Sequence, residues 1–301
     1  MARILLYALA FAVMAYVANL LLQPKFNPND FAGKRVVVTG ASMGIGEQMA
    51  YEVAKMKGSV VLVARSKDKM ERIVKKCKEL GATGAYYISA DLSTKDESEL
   101  KRIIDDSVKL LNGGMDMLIL NHLSPSEVIL QPSWPDALAK NGLPWLVDQY
   151  HLNVFSYMVL SNYALPILEK SNGKIGVVSS MSGVMGISKT VAYSSMKHAL
   201  HGYFNSLRLN LKTNKRYNTT ITICVLGAID TDALKKSVGD NVKNVVTPAP
   251  ADECARQIIE NTYLGTRTMY YPENVVRPSA YMAALFPSVL DFVMGIALGE
   301  G

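Results

Sequence analysis

The sequence predicts an open, doubly wound α/β sheet. Short apolar runs alternate with helix-length amphipathic stretches, a glycine-rich turn joins the first run directly to the first helix, and no internal repeat or low-complexity tract breaks the alternation. A chain of 301 residues, 49% of them hydrophobic and 19% charged, can bury a sizeable core, which excludes disorder as its main state.

The strand runs are Val36–Thr39, Val60–Ala64, Ala85–Ser89, Met117–Leu120, Lys174–Ser179 and Thr220–Leu226. Between them Glu47–Lys57, Lys67–Leu80, Lys95–Leu111, Leu146–Glu169 and Tyr193–Lys212 show helical periodicity. All-parallel sheets bind ligands beyond the carboxyl ends of their strands, so chemistry is expected in the residues that follow each run. The stretch from Ser124 to Gln149 breaks the spacing with Trp134, Trp145 and four prolines, and is expected to wall a pocket, touch a bilayer or form a decorated surface loop.

Ile4 to Leu22 carries no charge and, at about 1.5 Å per helical residue, comes close to crossing a hydrocarbon core of roughly 30 Å. Small residues at Ala8, Ala10 and Ala12 suit signal cleavage, but the apolar run continues past them, which favours an uncleaved anchor. The expected organisation is therefore an anchor helix over residues 1–23, a linker over 24–32, a single catalytic domain over 33–275 and an apolar segment over 276–301. That last segment is a candidate membrane contact, lid or subunit interface. Lys25, Lys34 and Arg35 after the anchor argue for a cytosolic domain by the positive-inside rule, whereas the sequon Asn218-Thr219-Thr220 argues for a lumenal one.

A net charge of +6 is spread among interleaved acidic residues, so no block forms a nucleic-acid footprint. Cys77, Cys224 and Cys254 lie far apart with no metal-ligand spacing, and no metal is expected. His198 and His201 stand three apart without a third ligand, and are expected on a helix surface.

Val36-Val-Val-Thr-Gly40-Ala-Ser-Met-Gly44-Ile-Gly46 passes from a β-branched strand into a helix, the context in which a glycine motif holds a dinucleotide. Gly40 serves the tight turn, Gly44 the approach of a pyrophosphate and Gly46 close helix–strand packing, while the helix N-terminus offers N–H groups to phosphate. No Lys-Ser/Thr pair follows, which disfavours a P-loop. At the end of the second strand, Arg65 and Ser66 replace the carboxylate that would bind a ribose 2′-hydroxyl, so a 2′-phosphate and hence NADP(H) is expected. Asp91 and Leu92 follow the third strand, beside the adenine.

Tyr193 and Lys197 stack one helical turn apart, and Ser180 ends a strand thirteen residues upstream. A free phenol titrates near pH ~10, so acid–base work at neutral pH needs a partner that stabilises the phenolate. A serine hydroxyl at a strand end suits a reacting carbonyl oxygen.

With the glycine turn, this constellation resembles the short-chain dehydrogenase/reductase family, a Rossmann-fold family of oxidoreductases, over roughly residues 33 to 275. The resemblance implies a catalytic tetrad of Asn153, Ser180, Tyr193 and Lys197. Tyr193 would be proton donor or acceptor, and Ser180 would orient the substrate oxygen, making both substrate contacts. Lys197 would lower the phenol's pKa and hold the nicotinamide ribose, and Asn153 would place a relay water. It also implies cofactor contacts from Gly40, Ser42, Met43, Gly44, Ile45, Gly46, Asn121, His122, Tyr193, Lys197, Leu226, Ile229 and Thr231.

Within the family the chain is most similar to the 11-beta-hydroxysteroid dehydrogenase type 1 group, through the anchor, Asn121-His122 in place of the usual Asn-Asn-Ala-Gly, and Cys224-Val-Leu-Gly-Ala-Ile-Asp-Thr231. That similarity implies an apolar, steroid-like substrate, a homodimer and a domain on the lumenal side of the endoplasmic reticulum membrane. The implied reaction interconverts 11-oxo and 11-beta-hydroxy steroids; other lipid ketones, retinoids among them, and a non-catalytic lipid-surface role are the alternatives. Met43 departs from the basic residue common in the glycine loop of NADP-preferring relatives, which leaves phosphate recognition to Arg65 and Ser66. A serine hydrolase is disfavoured because Ser180 lies in Ser-Ser-Met-Ser-Gly, without the first glycine of a nucleophile elbow.

Overall fold

The computed structural model describes Tyr7, Met14 and residues 25–123, 133–214, 218–238 and 247–297. Six of its strands are those expected from sequence: β1 (Arg35–Thr39), β2 (Ser59–Ala64), β3 (Gly84–Ser89), β4 (Met117–Leu120), β5 (Lys174–Val178) and β6 (Thr220–Leu226). A seventh, β7 (Thr268–Tyr271), completes a sheet ordered β3-β2-β1-β4-β5-β6-β7 with every pairing parallel. The chain winds outward in both directions from β1, so the crevice between the carboxyl ends of β1 and β4 is the topological switch point.

Alternation along each strand feeds two cores. Val36 and Val38 of β1 pack into one with α1 (Gly44–Lys55), α2 (Lys67–Glu79) and α8 (Ala251–Leu264). Val37, in between, joins the other with α3 (Glu97–Leu110), α5 (Ser156–Lys170) and α6 (Val191–Thr213). Burial on both faces is why these strands read as unbroken β-branched runs. Each fully buried aliphatic side chain contributes about 1.5–3 kcal/mol. The helices begin and end on local chemistry: Asp96 caps α3 by accepting from Ser98 N–H at 2.8 Å, and Gly265, at φ 71°, closes α8 in the left-handed conformation.

Three expectations need correction. From residue 133 onward, the Ser124–Gln149 excursion is no loop but α4 (Trp134–Tyr150), broken at Gly142 where φ is 73° and ψ 173°; residues 124–132 lie outside the described set. Pro135, Pro144 and Gly142 disguised it, because each counts against a continuous helix. Leu146–Glu169 is likewise not one α-helix: α4 gives way to a π-helical turn, His151–Phe155, before α5. Finally, residues beyond 240 hold more regular structure than the apolar pattern showed: α8, β7, α9 (Glu273–Leu285) and α10 (Pro287–Ala297), with the short α7 (Asp232–Val238) before them. The linker also ends in order, with Phe31 buried and its ring 5.4 Å from that of Tyr263 on α8.

No described helix is long and apolar enough to cross a membrane, and the predicted span Ile4–Leu22 lies outside the described residues except for Tyr7 and Met14.

Candidate active site

At the switch point, Gly40 and Gly44 adopt φ of 63° and 58°, the left-handed region in which a side chain is strained. Gly40 is further constrained by neighbours, since a Cβ there would fall 2.7 Å from His122 Cα. The N-cap of α1 is Met43, whose side chain accepts no hydrogen bond, so the leading N–H groups of the helix have no acceptor from their cap residue. A turn without Cβ atoms feeding an uncapped helix N-terminus fits a pyrophosphate. Thr231 belongs to the same wall, for a Cβ on Gly44 would lie 3.4 Å from its methyl group. Ser42, Met43 and Ile45 are half-buried along the loop.

Gly46 serves packing. A Cβ there would collide with the Gly40 carbonyl oxygen and lie 2.9 Å from Ala41 Cα, both backbone atoms that cannot yield. Gly46→Ala is therefore expected to cost about 1–3 kcal/mol of stability and to open the turn. A thermal melt with an NADPH titration checks this: a lower melting temperature and weaker binding are expected together.

Asn121 ties this turn to β4, taking Thr39 Oγ1 with its N–H at 2.9 Å and donating from its amide to the Thr39 and Gly40 carbonyls at 3.2 Å each. At the far end of the crevice, Arg65 and Ser66 are exposed just past β2. Asp91 stands near enough for Arg65 to act on its carboxyl. Burial pushes that carboxyl up, but hydrogen bonds from the Ser93 N–H and hydroxyl, helped by Arg65, outweigh it and hold the group below the usual range.

Three of the four tetrad residues, Ser180, Tyr193 and Lys197, converge. Ser180 follows β5 and caps a short 3-10 turn, Met181–Gly183, accepting from Ser182 N–H at 3.2 Å. Its side chain lies near enough to the Tyr193 phenol to lower that group's pKa. Lys197, one turn along α6, is buried with its ammonium 5.7 Å from the Tyr193 ring centroid and donates to the Val178 carbonyl at 2.9 Å. Burial lowers this lysine to about 8. Burial also pushes the Tyr193 phenol above its ordinary value, and the nearby Ser180 offsets this only in part. In the protein alone the phenol thus stays protonated, and the pKa lowering assigned to Lys197 does not dominate. Asn153 is buried inside the π-helical turn, its amide donating to Gln149 O at 2.8 Å.

Four predicted cofactor residues turn their side chains inward. Leu92, His122, Leu226 and Ile229 are all buried, three in the aliphatic cores and His122 against Thr39 and Ser156, which leaves little of each side chain exposed. Strand position suggests Leu92 and the family resemblance suggests the other three, and neither tells an inward side chain from an outward one.

His201 is a second correction. It is half-buried rather than exposed: its Nε2 is 2.9 Å from Ser179 Oγ, and a Cβ on Gly183 would collide with its ring. His198 is exposed, as expected, with Nδ1 2.8 Å from Ser194 O. Tyr193, Lys197 and His201 recur every four residues along one face of α6, a signal that the sequence did carry. Tyr157, unsuspected from sequence, lies fully buried beneath Lys197, with its ring centroid 5.9 Å from the ammonium.

Burial and neighbouring positive charge lower His122 to about 3 and His201 to about 4, so both stay neutral in the folded state. An unfolded histidine takes up its proton near pH ~6.5, so stability is complete above that pH and is lost as pH falls towards 4. With both groups titrating in this window the slope approaches about 2.7 kcal/mol per pH unit. Urea denaturation between pH 7 and 4.5 checks this, and His201→Leu should flatten the slope.

The family model described as short chain dehydrogenase matches residues 34–241. A hydroxysteroid 11-beta-dehydrogenase 1-like protein of Gallus gallus is 42% identical over 248 residues, covering 82% of this chain and 81% of that protein. One of the same description from Danio rerio is 38% identical, covering 86% and 85%. Among solved structures, a short chain dehydrogenase from Burkholderia cenocepacia in complex with NADP has a TM-score of 0.70 at 23% identity, covering 80% of this chain and 97% of that one. An alcohol dehydrogenase from Thermococcus sibiricus complexed with 5-hydroxy-NADP has a TM-score of 0.66 at 20% identity, covering 79% and 94%. With the parallel sheet, the glycine turn and the Ser180–Tyr193–Lys197 cluster at its switch point, these matches establish that the chain is an oxidoreductase of the short-chain dehydrogenase family.

Proposed function

We propose that this enzyme interconverts a ketone and a secondary alcohol on an apolar, steroid-like substrate with NADP(H), the 11-oxo/11-beta-hydroxy steroid pair being the leading candidate. The observation that carries the reaction class is the convergence of Ser180 and the Tyr193 phenol beside buried Lys197 at the end of β5. Arg65 and Ser66, exposed beyond β2 with no carboxylate in the 2′-hydroxyl position, support NADP(H). The steroid assignment is supported by the description that relatives in Gallus gallus, Danio rerio and Xenopus laevis share.

When bound, the nicotinamide supplies or accepts the hydride. The protein's own groups handle the oxygen and its proton. In the reducing direction Ser180 donates a hydrogen bond to the carbonyl oxygen, and the protonated Tyr193 phenol gives its proton to that oxygen as negative charge develops on it. Lys197 spends one of its three N–H donors on Val178 O, which fixes the ammonium near the phenol, where it would stabilise the phenolate left behind and would hold the ribose hydroxyls of a bound cofactor. Asn153 orients the water that returns a proton to Tyr193.

The reading extends to location. The charge-free Ile4–Leu22 acts as a single-pass anchor in the endoplasmic reticulum membrane, with the domain lumenal and Asn218, which is exposed, glycosylated. Exposed apolar side chains on the last two helices, with Leu285 and Phe292 each 69% accessible, support a membrane contact. Exposed Phe155, in the turn that leads into α5, and Leu209 on α6 support a homodimer built on these two helices.

Loss of NADPH absorbance on adding cortisone, an 11-oxo steroid, tests the function. Consumption that depends on the steroid supports it; consumption with small ketones but no steroid would remove the substrate assignment and leave the reaction class.

A further inference from the structure

His122 lies where three structural elements meet. Its Nδ1 is 2.8 Å from Thr39 Oγ1 at the end of β1, its Nε2 is 2.7 Å from Ser156 Oγ at the start of α5, and its carbonyl accepts the Tyr157 hydroxyl. The neighbours fix the direction of these bonds. Ser156 Oγ is closer to the Leu152 carbonyl, at 2.6 Å, than Thr39 Oγ1 is to the Ile119 carbonyl, at 3.1 Å, so we assign the Ser156 proton to Leu152, leave its lone pairs to accept, and place the imidazole hydrogen on Nε2. Nδ1 is then the acceptor. Thr39 Oγ1, which already accepts from Asn121 N–H at 2.9 Å, can turn its proton towards Nδ1 in preference to the more distant Ile119 carbonyl at 3.1 Å. Full burial keeps the ring neutral, and this single tautomer holds across the physiological pH range.

The bond to Ser156 secures an uncommon piece of backbone. A π-helical turn holds one residue more than an α-helical turn and persists where its surroundings enforce it. Here the Leu152 carbonyl, inside that turn, is met by the Ser156 hydroxyl, which is in turn held by His122. The next residue is Asn153. Were the turn to relax to an α-helix, the residues on one side of it would rotate by roughly 100° relative to the other, changing the direction of the Asn153 side chain and breaking its bond to the Gln149 carbonyl.

We propose that His122 is a positioning residue: its Nε2-protonated imidazole couples the cofactor turn at Thr39 to the π-helical turn, and thereby holds Asn153 in register with Tyr193 and Lys197. The role rests on the proposed oxidoreductase reading, in which Asn153 serves proton return. It requires no contact between the imidazole and substrate or cofactor, so cofactor affinity and turnover should separate.

The test compares wild-type enzyme with His122→Leu, His122→Gln, Ser156→Ala and the Leu/Ala double variant. Readouts are kcat and KM with NADPH and cortisone, NADPH affinity by fluorescence quenching, and amide hydrogen exchange over residues 149–157 without ligand. His122→Leu and Ser156→Ala should each lower kcat by about 10- to 100-fold, the scale expected of a displaced catalytic group, with NADPH affinity changed by less than about threefold. The double variant should be no worse than the poorer single one, because both cut the same link. His122→Gln, which keeps an N–H donor near the Nε2 position, should recover most of the loss. Exchange over 149–157 should rise in the Leu and Ala variants and not in the Gln variant.

NADPH affinity falling in step with kcat, additive losses, no recovery by glutamine or unchanged exchange would each overturn the proposal. If His122→Leu does not fold, Ser156→Ala decides: wild-type turnover or wild-type exchange in that variant overturns it. An absence of cortisone turnover in the wild type, with the exchange pattern as expected, would sink the functional reading and leave the structural coupling standing.

Discussion

Tyr193→Phe is expected to lower turnover about a thousandfold while leaving NADPH affinity close to wild type. The ring packs against Val154, Ala192 and Met196 alongside Trp134 and Trp145, and phenylalanine keeps that packing. What disappears is the hydroxyl that stands near Ser180 and gives up the proton. Because burial holds the phenol above its ordinary value, ketone reduction should run well at neutral pH, where the proton is in place. Alcohol oxidation, which needs the phenolate, should rise with pH. Single-turnover kinetics with NADPH and cortisone measure the loss; a residual rate above about a tenth of wild type would assign the proton transfer to another group.

Arg65→Asp should reverse cofactor preference. A hydrogen bond to a charged group contributes about 1.5–3 kcal/mol, a factor of roughly 10 to 100, and replacing the guanidinium by a carboxylate adds repulsion of the 2′-phosphate. The ratio of kcat/KM for NADPH over NADH is therefore expected to fall by about 100- to 1000-fold. The surroundings permit this change: Arg65 is exposed, anchored by its own carbonyl, which accepts from Ser89 Oγ at 3.1 Å, and no described core contact depends on its side chain. The substitution also brings a second carboxylate near Asp91, so the same variant is measured with Asp91→Asn added, which removes the repulsion between the two carboxylates. An unchanged ratio would place the phosphate reader elsewhere on the glycine loop.

Much of this architecture is legible in the residues. Strands buried on both faces must be apolar throughout, so β1, β2, β4 and β6 stand out from their surroundings, and the glycine spacing and Tyr193/Lys197 pair follow from steric and hydrogen-bonding demands that few other residues satisfy. The C-terminal part was harder to see, because β7 is only Thr268–Tyr271, half-buried over most of its length, and polar residues within α8 and prolines in and beside α9 blur their periodicity. The π-helical turn is invisible for a different reason: its register depends on His122, some thirty residues earlier in the chain, and no local pattern records a contact between them. The same cause misplaced the His122 side chain. Position after β4 brings that residue to the crevice, but only the packing of Tyr157 and Ser156 turns its ring into the core.

The central claim is that Tyr193, Ser180 and Lys197 serve a hydride transfer between nicotinamide and a ketone carbon. NADPH carrying deuterium at the transferable position of nicotinamide C4, incubated with cortisone and the full-length enzyme, tests it directly by mass spectrometry and NMR of the steroid. The expected product is the 11-hydroxy steroid with one deuterium on carbon 11, absent with Tyr193→Phe. A steroid product without deuterium, or undiminished transfer in the phenylalanine variant, would contradict the account.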